Sequence, residues 1–338
     1  MNESTAVDGF SRRELLAGTS MLGALALLGL PRTAAAEPPP EIQKIRLVHS
    51  PAICLAPQYL AEDLLRLEGS EVEYVDIPTQ KTVSLLEAGR ADITMGAAPD
   101  VVAALDMGRG VLPLAGIHAG CYELFVNGRI AAIKDLKDKS VVITTDDSTE
   151  RLFISSIVAY VGVNPRDIRW IIIPSADEAM QRFVDGKADA FLAFAPQPQE
   201  LRIKKVGRVI LDTTMDRPWS QYFCCMVSAR REFARKYPVA TKRALRAFLK
   251  AADICAQEPE RVARYLAAKG YEPRYEIGLE VLKSLPYARW RQANPADTLR
   301  FHALRLHEVG LIKSSPEKLI AQAADWRFVN ELKKELKG

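Results

Sequence analysis

Five cysteines and four histidines carry the most reactive side chains of this chain. Two of the histidines, His49 and His118, sit within a few residues of Cys54 and Cys121. An imidazole beside a thiol can take its proton and leave a nucleophilic thiolate. An enzyme working through Cys54 is therefore one reading of the sequence. The other cysteines, Cys224, Cys225 and Cys255, complete an odd and small set that suits no disulfide scaffold. Their spacings match no zinc pattern, and most of them read as small buried hydrophobes. Adjacent Cys224 and Cys225 would face opposite sides of a strand. His302 and His307 lie five apart on a late helix, a poor metal spacing, and read as surface residues. The main expectation is accordingly a chain with no catalytic residue, no metal ligand and no cofactor.

The loops around these residues suit binding better than bond breaking. They read "HSPAICLAP" (49–57), "GAAPD" (96–100), "HAGCYE" (118–123), "TTDDSTER" (144–151) and "FAPQPQ" (194–199). Several of them lead into a helix. There the free backbone N–H groups and the helix dipole favour an anionic or hydrogen-bonding ligand.

An internal repeat says what positions those loops. "LLEAGRADITMGAAP" (85–99) matches "RFVDGKADAFLAFAP" (182–196) at an offset of 97, pairing Gly89 with Gly186 and Asp92 with Asp189. Upstream, Ile77-Pro78-Thr79 pairs with Ile173-Pro174-Ser175 at an offset of 96. Each copy reads as strand, Thr or Ser cap, amphipathic helix, Gly stop, basic-Ala-Asp, then a buried strand. Strands are predicted at 45–48, 72–77, 92–95, 112–117, 140–144, 169–173, 190–192 and 222–228. Helices follow at 237–257, 259–269, 275–284, 295–309 and 316–336. Strands alternating with helices argue for an α/β protein with mainly parallel sheets. Two copies of one unit argue for two lobes, with ligand held beyond the carboxyl ends of the strands. Lobe 1 is expected to comprise 41–128 plus 222–338 and lobe 2 to comprise 129–221, with crossings near 127–130 and 213–221. Tyr59, Phe125, Phe153, Phe183, Trp290 and Trp326 read as core. Tyr122, Phe194, Trp219 and Tyr222 read as flat surfaces near the cleft.

The first 36 residues form an address. A paired arginine, Arg12-Arg13, precedes an apolar run over 15–30, shorter than the roughly 20 residues of a membrane span. Ala34-Ala35-Ala36 then gives a small-residue cleavage site ahead of Glu37 and three prolines. The pattern is that of a twin-arginine export signal cut after Ala36, which sends residues 37–338 to the periplasm through the Tat translocase. The chain would then not span the membrane. The signal is balanced in charge, so the exported part keeps the formal charge of +4. Basic and acidic residues alternate along it, which argues against a nucleic-acid partner.

With "LEAGRADITMGAAPDVVAAL", "IKDLKDKSVVITT", "VGVNPRDIRWIIIPSADEAMQRFVDGKADAFLAFAP" and "ARKYPVATKRALRAFLKA", the chain from 42 to about 311 resembles a known family. It is similar to the nitrate/sulfonate/taurine and thiamine-pyrimidine-precursor group of periplasmic solute-binding proteins. The resemblance implies a type II periplasmic-binding fold of two lobes closing on a small-molecule ligand. It also implies delivery to an ABC permease and its ATPase, and a monomer. It places the ligand on Ser50, Ala52, Ile53, Ala98, Asp100, Ser148 and Thr149. Cys54, His118, Tyr122, Asp146, Phe194 and Tyr222 lie in or beside the same loops. Two departures stand out. Asp146-Asp147-Ser148-Thr149 replaces the usual Gly-Gly-Ser-Thr-like loop, and Phe194-Ala195-Pro196 replaces Trp-x-Pro. Two carboxylates beside the capping position disfavour nitrate or a sulfonate and suit a neutral heterocycle or an amine. The alternatives are a desulfinase-like or pyrimidine-synthase-like enzyme using Cys54, or a sensory module that docks a receptor.

Overall fold

The computed structural model describes residues 37–50, 52–77, 81–128, 130–323 and 325–337. The expected export signal, residues 1–36, lies outside the described residues, as does Thr79, the expected helix cap of the first repeat copy.

The chain begins with β1 (Lys44–His49), α1 (Ala56–Leu67), β2 (Glu71–Asp76), α2 (Val83–Glu87), β3 (Ile93–Ala97), α3 (Ala98–Asp106) and β4 (Val111–Ala119). It continues through β5 (Tyr122–Val126), β6 (Ser140–Ile143), α4 (Thr149–Tyr160), β7 (Arg169–Ile172), α5 (Ala176–Val184), β8 (Ala190–Phe194), α6 (Gln197–Lys204) and β9 (Arg208–Asp212). Strand β10 (Phe223–Arg230) then leads into α7 (Arg231–Lys236), α8 (Pro238–Gln257), α9 (Pro259–Ala268) and α10 (Tyr275–Ser284). The chain ends in α11 (Pro295–Glu308), α12 (Pro316–Gln322) and α13 (Arg327–Glu335).

Two five-stranded sheets result, ordered β2-β1-β3-β10-β4 and β7-β6-β8-β5-β9. The repeat is the shared half of that topology. In each sheet the second strand has a parallel neighbour on both sides, β1 with β2 and β3, and β6 with β7 and β8. An antiparallel strand then joins the last member of the parallel set, β10 on β3 and β5 on β8. The repeated Gly89 and Gly186 both take left-handed backbone where their helices stop. The repeated aspartates tie each unit together rather than touching ligand. Asp92 accepts from the Arg46 backbone N–H and guanidinium at 2.7–3.0 Å. Asp189 accepts from the Ser140 backbone and hydroxyl at 2.7 Å. Each carboxylate thus pins its buried strand to the neighbouring first strand of the sheet.

Three expectations need correction. Strands β5 and β9 lie where no strand is predicted, and both belong to the second sheet. The first crossing therefore falls at Gly120-Cys121, not near 127–130, and the lobe 1 boundary at 128 moves back to about 120. The reason is local: the chain changes sheets in two residues, both with positive φ, and pairing with β8 resumes at once. The helix expected over 316–336 is two helices, Pro316–Gln322 and Arg327–Glu335.

The two crossings are bonded to each other. The Tyr122 backbone N–H donates to Thr213 Oγ1 at 3.0 Å, and Thr213 Oγ1 donates to the Tyr122 carbonyl at 2.8 Å. At Gly120 an added Cβ would come within 2.6 Å of Thr214 Cα, so only glycine allows this approach. The late helices pack mainly on the first lobe, where α1 lies along α8. Helix α11 packs on both α3 and α4 and so bridges the lobes. His302 on α11 is buried edge-on against Phe153 of α4, not on the surface as expected. Burial pulls its imidazole down to about 3, so it sits there neutral.

Candidate functional site

The lobes meet at the first turns of α3 and α4. Asp100, in the first turn of α3, is buried and accepts a 2.7 Å hydrogen bond from Thr149 Oγ1 at the start of α4. Its other oxygen, Oδ1, has no hydrogen-bond partner among the described residues. Burial pushes the Asp100 carboxyl up to about 7. Ser148 caps α4, its hydroxyl accepting from the Arg151 N–H at 3.2 Å. Glu150 is buried behind it, accepts from Thr144 Oγ1 at 3.2 Å, and is also pushed up by burial. Lys81, just before α2, reaches across to Asp147 and forms an ion pair with it. A hollow of about 150 Å³ lies between these groups, lined by Lys81, Ser84, Thr144, Asp147, Thr149 and Glu150 among others. Its walls come from both lobes. It offers one cation, several hydroxyls and the buried Glu150 carboxyl.

Next to this lies an apolar floor. Ala52 and Cys54, from the loop after β1, face Met95, Gly96 and Ala97 of β3 across a gap of about 10 Å³, one water's worth. Tyr122 and Cys225 close the gap. The Tyr122 ring packs against Phe153 at 4.6 Å and Phe194 at 6.4 Å, so aromatic surface from the second lobe covers the floor.

The structure therefore places Ser148 and Thr149 on the wall of the polar hollow, with Asp100 bonded to Thr149 behind it, and Ala52, Cys54 and Tyr122 at the floor, with Phe194 against Tyr122. Ala98 begins α3 and Ile53 begins the short turn beside the floor, both buried. Ser50 is fully buried and its backbone bonds the Tyr59 hydroxyl, which fixes the loop. Three expected residues stand elsewhere. Asp146 is three-quarters exposed and lies 3.6 Å from Arg151, which itself lies over Trp170, so it faces solvent rather than ligand. Tyr222 stacks on Phe301 of α11 at 4.0 Å. His118 is buried edge-on against Tyr287. The nucleophile pair does not assemble around His49, whose Nδ1 lies 2.7 Å from Asp76.

Lys81 and Glu150 were missed by sequence reasoning. Glu150 directly follows the predicted cap and first helical residue, a position that could have been read as part of the site. Lys81 follows the strand-to-helix passage of the first repeat copy, the place that Ser175 caps in the second copy.

The cysteines bring the largest correction. The Cys54, Cys121 and Cys225 sulfurs all lie within 4.8 Å of one another. Cys224 Sγ is 2.8 Å from Cys121 Sγ. All five thiols are buried in the core, as expected, and Cys255, in α8, lies apart from the other four. Cys224 and Cys225 do not face opposite ways, because a bulge interrupts β10 there: Phe223 pairs with Ala119 and Cys225 already with His118. Thiol hydrogen bonds from Cys121, Cys224 and Cys54 pull the Cys225 thiol well below its usual range.

A sequence model of the NMT1-like family matches residues 126–269. The fold is shared with solved periplasmic binding proteins. The nitrate-binding protein NrtA from Synechocystis PCC 6803 superposes with a TM-score of 0.75 at 16% identity, over 88% of this chain and 90% of that one. The alkanesulfonate-binding protein SsuA from Xanthomonas axonopodis pv. citri, bound to MOPS, gives 0.69 at 18%, over 86% and 99%. The aliphatic sulphonate binding protein SsuA from Escherichia coli gives 0.65 at 19%, over 82% and 91%. A search of curated protein sequences finds no match.

Proposed function

We propose that the chain is the solute-binding component of an ABC importer. It acts in the periplasm after export through the twin-arginine pathway, and captures a small organic solute by lobe closure. The observation that carries this reading is the polar hollow whose walls come from both lobes, on a fold shared with binding proteins. Asp100 to Thr149 and Lys81 to Asp147 are contacts that form only when the lobes approach. No helix among the described residues is long and apolar enough to cross a membrane.

The ligand class follows from Asp100 rather than from Asp146 and Asp147. A buried carboxyl oxygen without a partner calls for a donor. A solute with an N–H or ammonium group supplies one, and a ring or short alkyl body would fit under Tyr122 and Phe194. Above about pH 7, where Asp100 is ionised, nitrate and simple sulfonates, which are acceptors only, would leave that oxygen unsatisfied. The structures of the same fold include nitrate-binding and alkanesulfonate-binding proteins, and an N–H or ammonium solute would set this chain apart from them.

A thermal-shift screen of residues 37–338 tests this. The panel holds nitrate, taurine, alkyl and aryl sulfonates, thiamine, its pyrimidine, related heterocycles and small amines. A solute at about 100 times its dissociation constant adds roughly 2.7 kcal/mol. Hits among heterocycles or amines are expected, with nitrate and simple sulfonates silent. A sulfonate hit would keep the binding role and overturn the assignment to Asp100. Silence across the whole panel would count against solute capture.

A further inference from the structure

We propose that the thiols of Cys54, Cys121 and Cys225, with Cys224 beside them, form a binding site for one soft d10 metal ion, Cu(I) or Zn(II). The site lies where the two lobe crossings meet, and stands independently of the solute reading.

The ligands come from three separate segments. Cys54 lies in the turn after β1, Cys121 in the first crossing, and Cys224 and Cys225 at the start of β10, just after the second. Three sulfurs within 4.8 Å of one another can share one ion, because metal–sulfur bonds of about 2.3 Å place thiolate neighbours a little under 4 Å apart. Every thiol of the group is buried. An all-sulfur, water-poor set selects soft ions over Mg²⁺ or Ca²⁺.

Two further features fit this site. Cys121 holds φ of 108°, a region that non-glycine residues avoid, so the backbone bears strain to keep that side chain among the thiols. His118, fully buried, pairs with Cys225 in the sheet register, and its Nε2 has no partner among the described residues. It neighbours the group through that register and could turn its ring toward a metal-bound thiolate. On binding, each coordinating thiol loses its proton to solvent and its sulfur takes the metal; no electron is transferred. The loaded ion would clamp both crossings to the first lobe.

The test uses the reduced protein, residues 37–338, stripped of metal. It is titrated with Cu(I) and, separately, Zn(II) against a coloured competing chelator. Co(II) serves as a spectroscopic probe on the unmutated protein. One ion per chain is expected. Affinity should fall at least 100-fold in Cys54→Ser and in Cys225→Ser, and stay unchanged in Cys255→Ser. Intense sulfur-to-cobalt absorption in the near ultraviolet should appear with the unmutated protein, which keeps the answer independent of whether the variants fold. The Cu(I) and Zn(II) arms tell which ion is preferred. Absence of both the absorption and of competition with the chelator would overturn the proposal. So would a Cys121–Cys224 disulfide in the isolated protein together with no metal uptake after reduction.

Discussion

Asp100 holds the balance of the polar hollow. One of its oxygens is bound to Thr149 and the other awaits a donor. Burial raises its carboxyl to about 7, above the value near 4 of an exposed aspartate. A raised acid stabilises the closed arrangement fully below about pH 4, and that contribution fades as pH rises through about 7. A shift of this size is worth up to about 4 kcal/mol across the window. The ligand-free protein should therefore melt higher at pH 5.5 than at pH 8, and Asp100→Asn should flatten that dependence. Melting curves against pH check this, and an equal slope in the variant would remove Asp100 from the account. A solute that donates to the ionised carboxylate has the opposite trend, binding more tightly as pH rises through 7. Asp100 was legible in the sequence only through family resemblance, as one position of a helix-opening loop. Its bond to Thr149 was not, because a hydrogen bond between residues 49 apart leaves no local pattern. Asp146 illustrates the converse. Its place in the sequence suggested ligand, yet the turn it occupies points it to Arg151 and solvent.

The repeated α/β unit was legible because both copies keep the same local chemistry: a glycine to stop the helix, an aspartate to tie the strand, an apolar run to bury. Strands β5 and β9 were not. They belong to the returning half of the second sheet, outside the repeat. The chain enters that sheet through only two residues, Gly120 and Cys121, and nothing in the composition marks the change. The thiol group escaped for a related reason. Motif spacings describe ligands within one segment, whereas here three segments converge and a bulge turns Cys224 and Cys225 to the same side. The crossing itself is testable. Gly120→Ala would put a side chain at φ of 74° and 2.6 Å from Thr214 Cα. A loss of about 1–3 kcal/mol is expected from such a position. The midpoint of urea unfolding measures it, and an unchanged midpoint would show that the two crossings do not pack as described.

On the scale of the whole molecule, two sheets of one design face each other and exchange a strand at each crossing. That arrangement leaves the lobes hinged by 120–121 and 213–222, with α11 bridging them on one side. The polar contacts of the hollow are made across the lobes, so they are available to be broken and remade. In the proposed role, a small solute holds the lobes together. Small-angle X-ray scattering of residues 37–338, with and without a saturating solute from the screen, tests it most directly. The free protein should have the larger radius of gyration, and the solute should bring the curve to that of the two-lobed structure. A solute that binds with full occupancy and leaves the curve unchanged would contradict it.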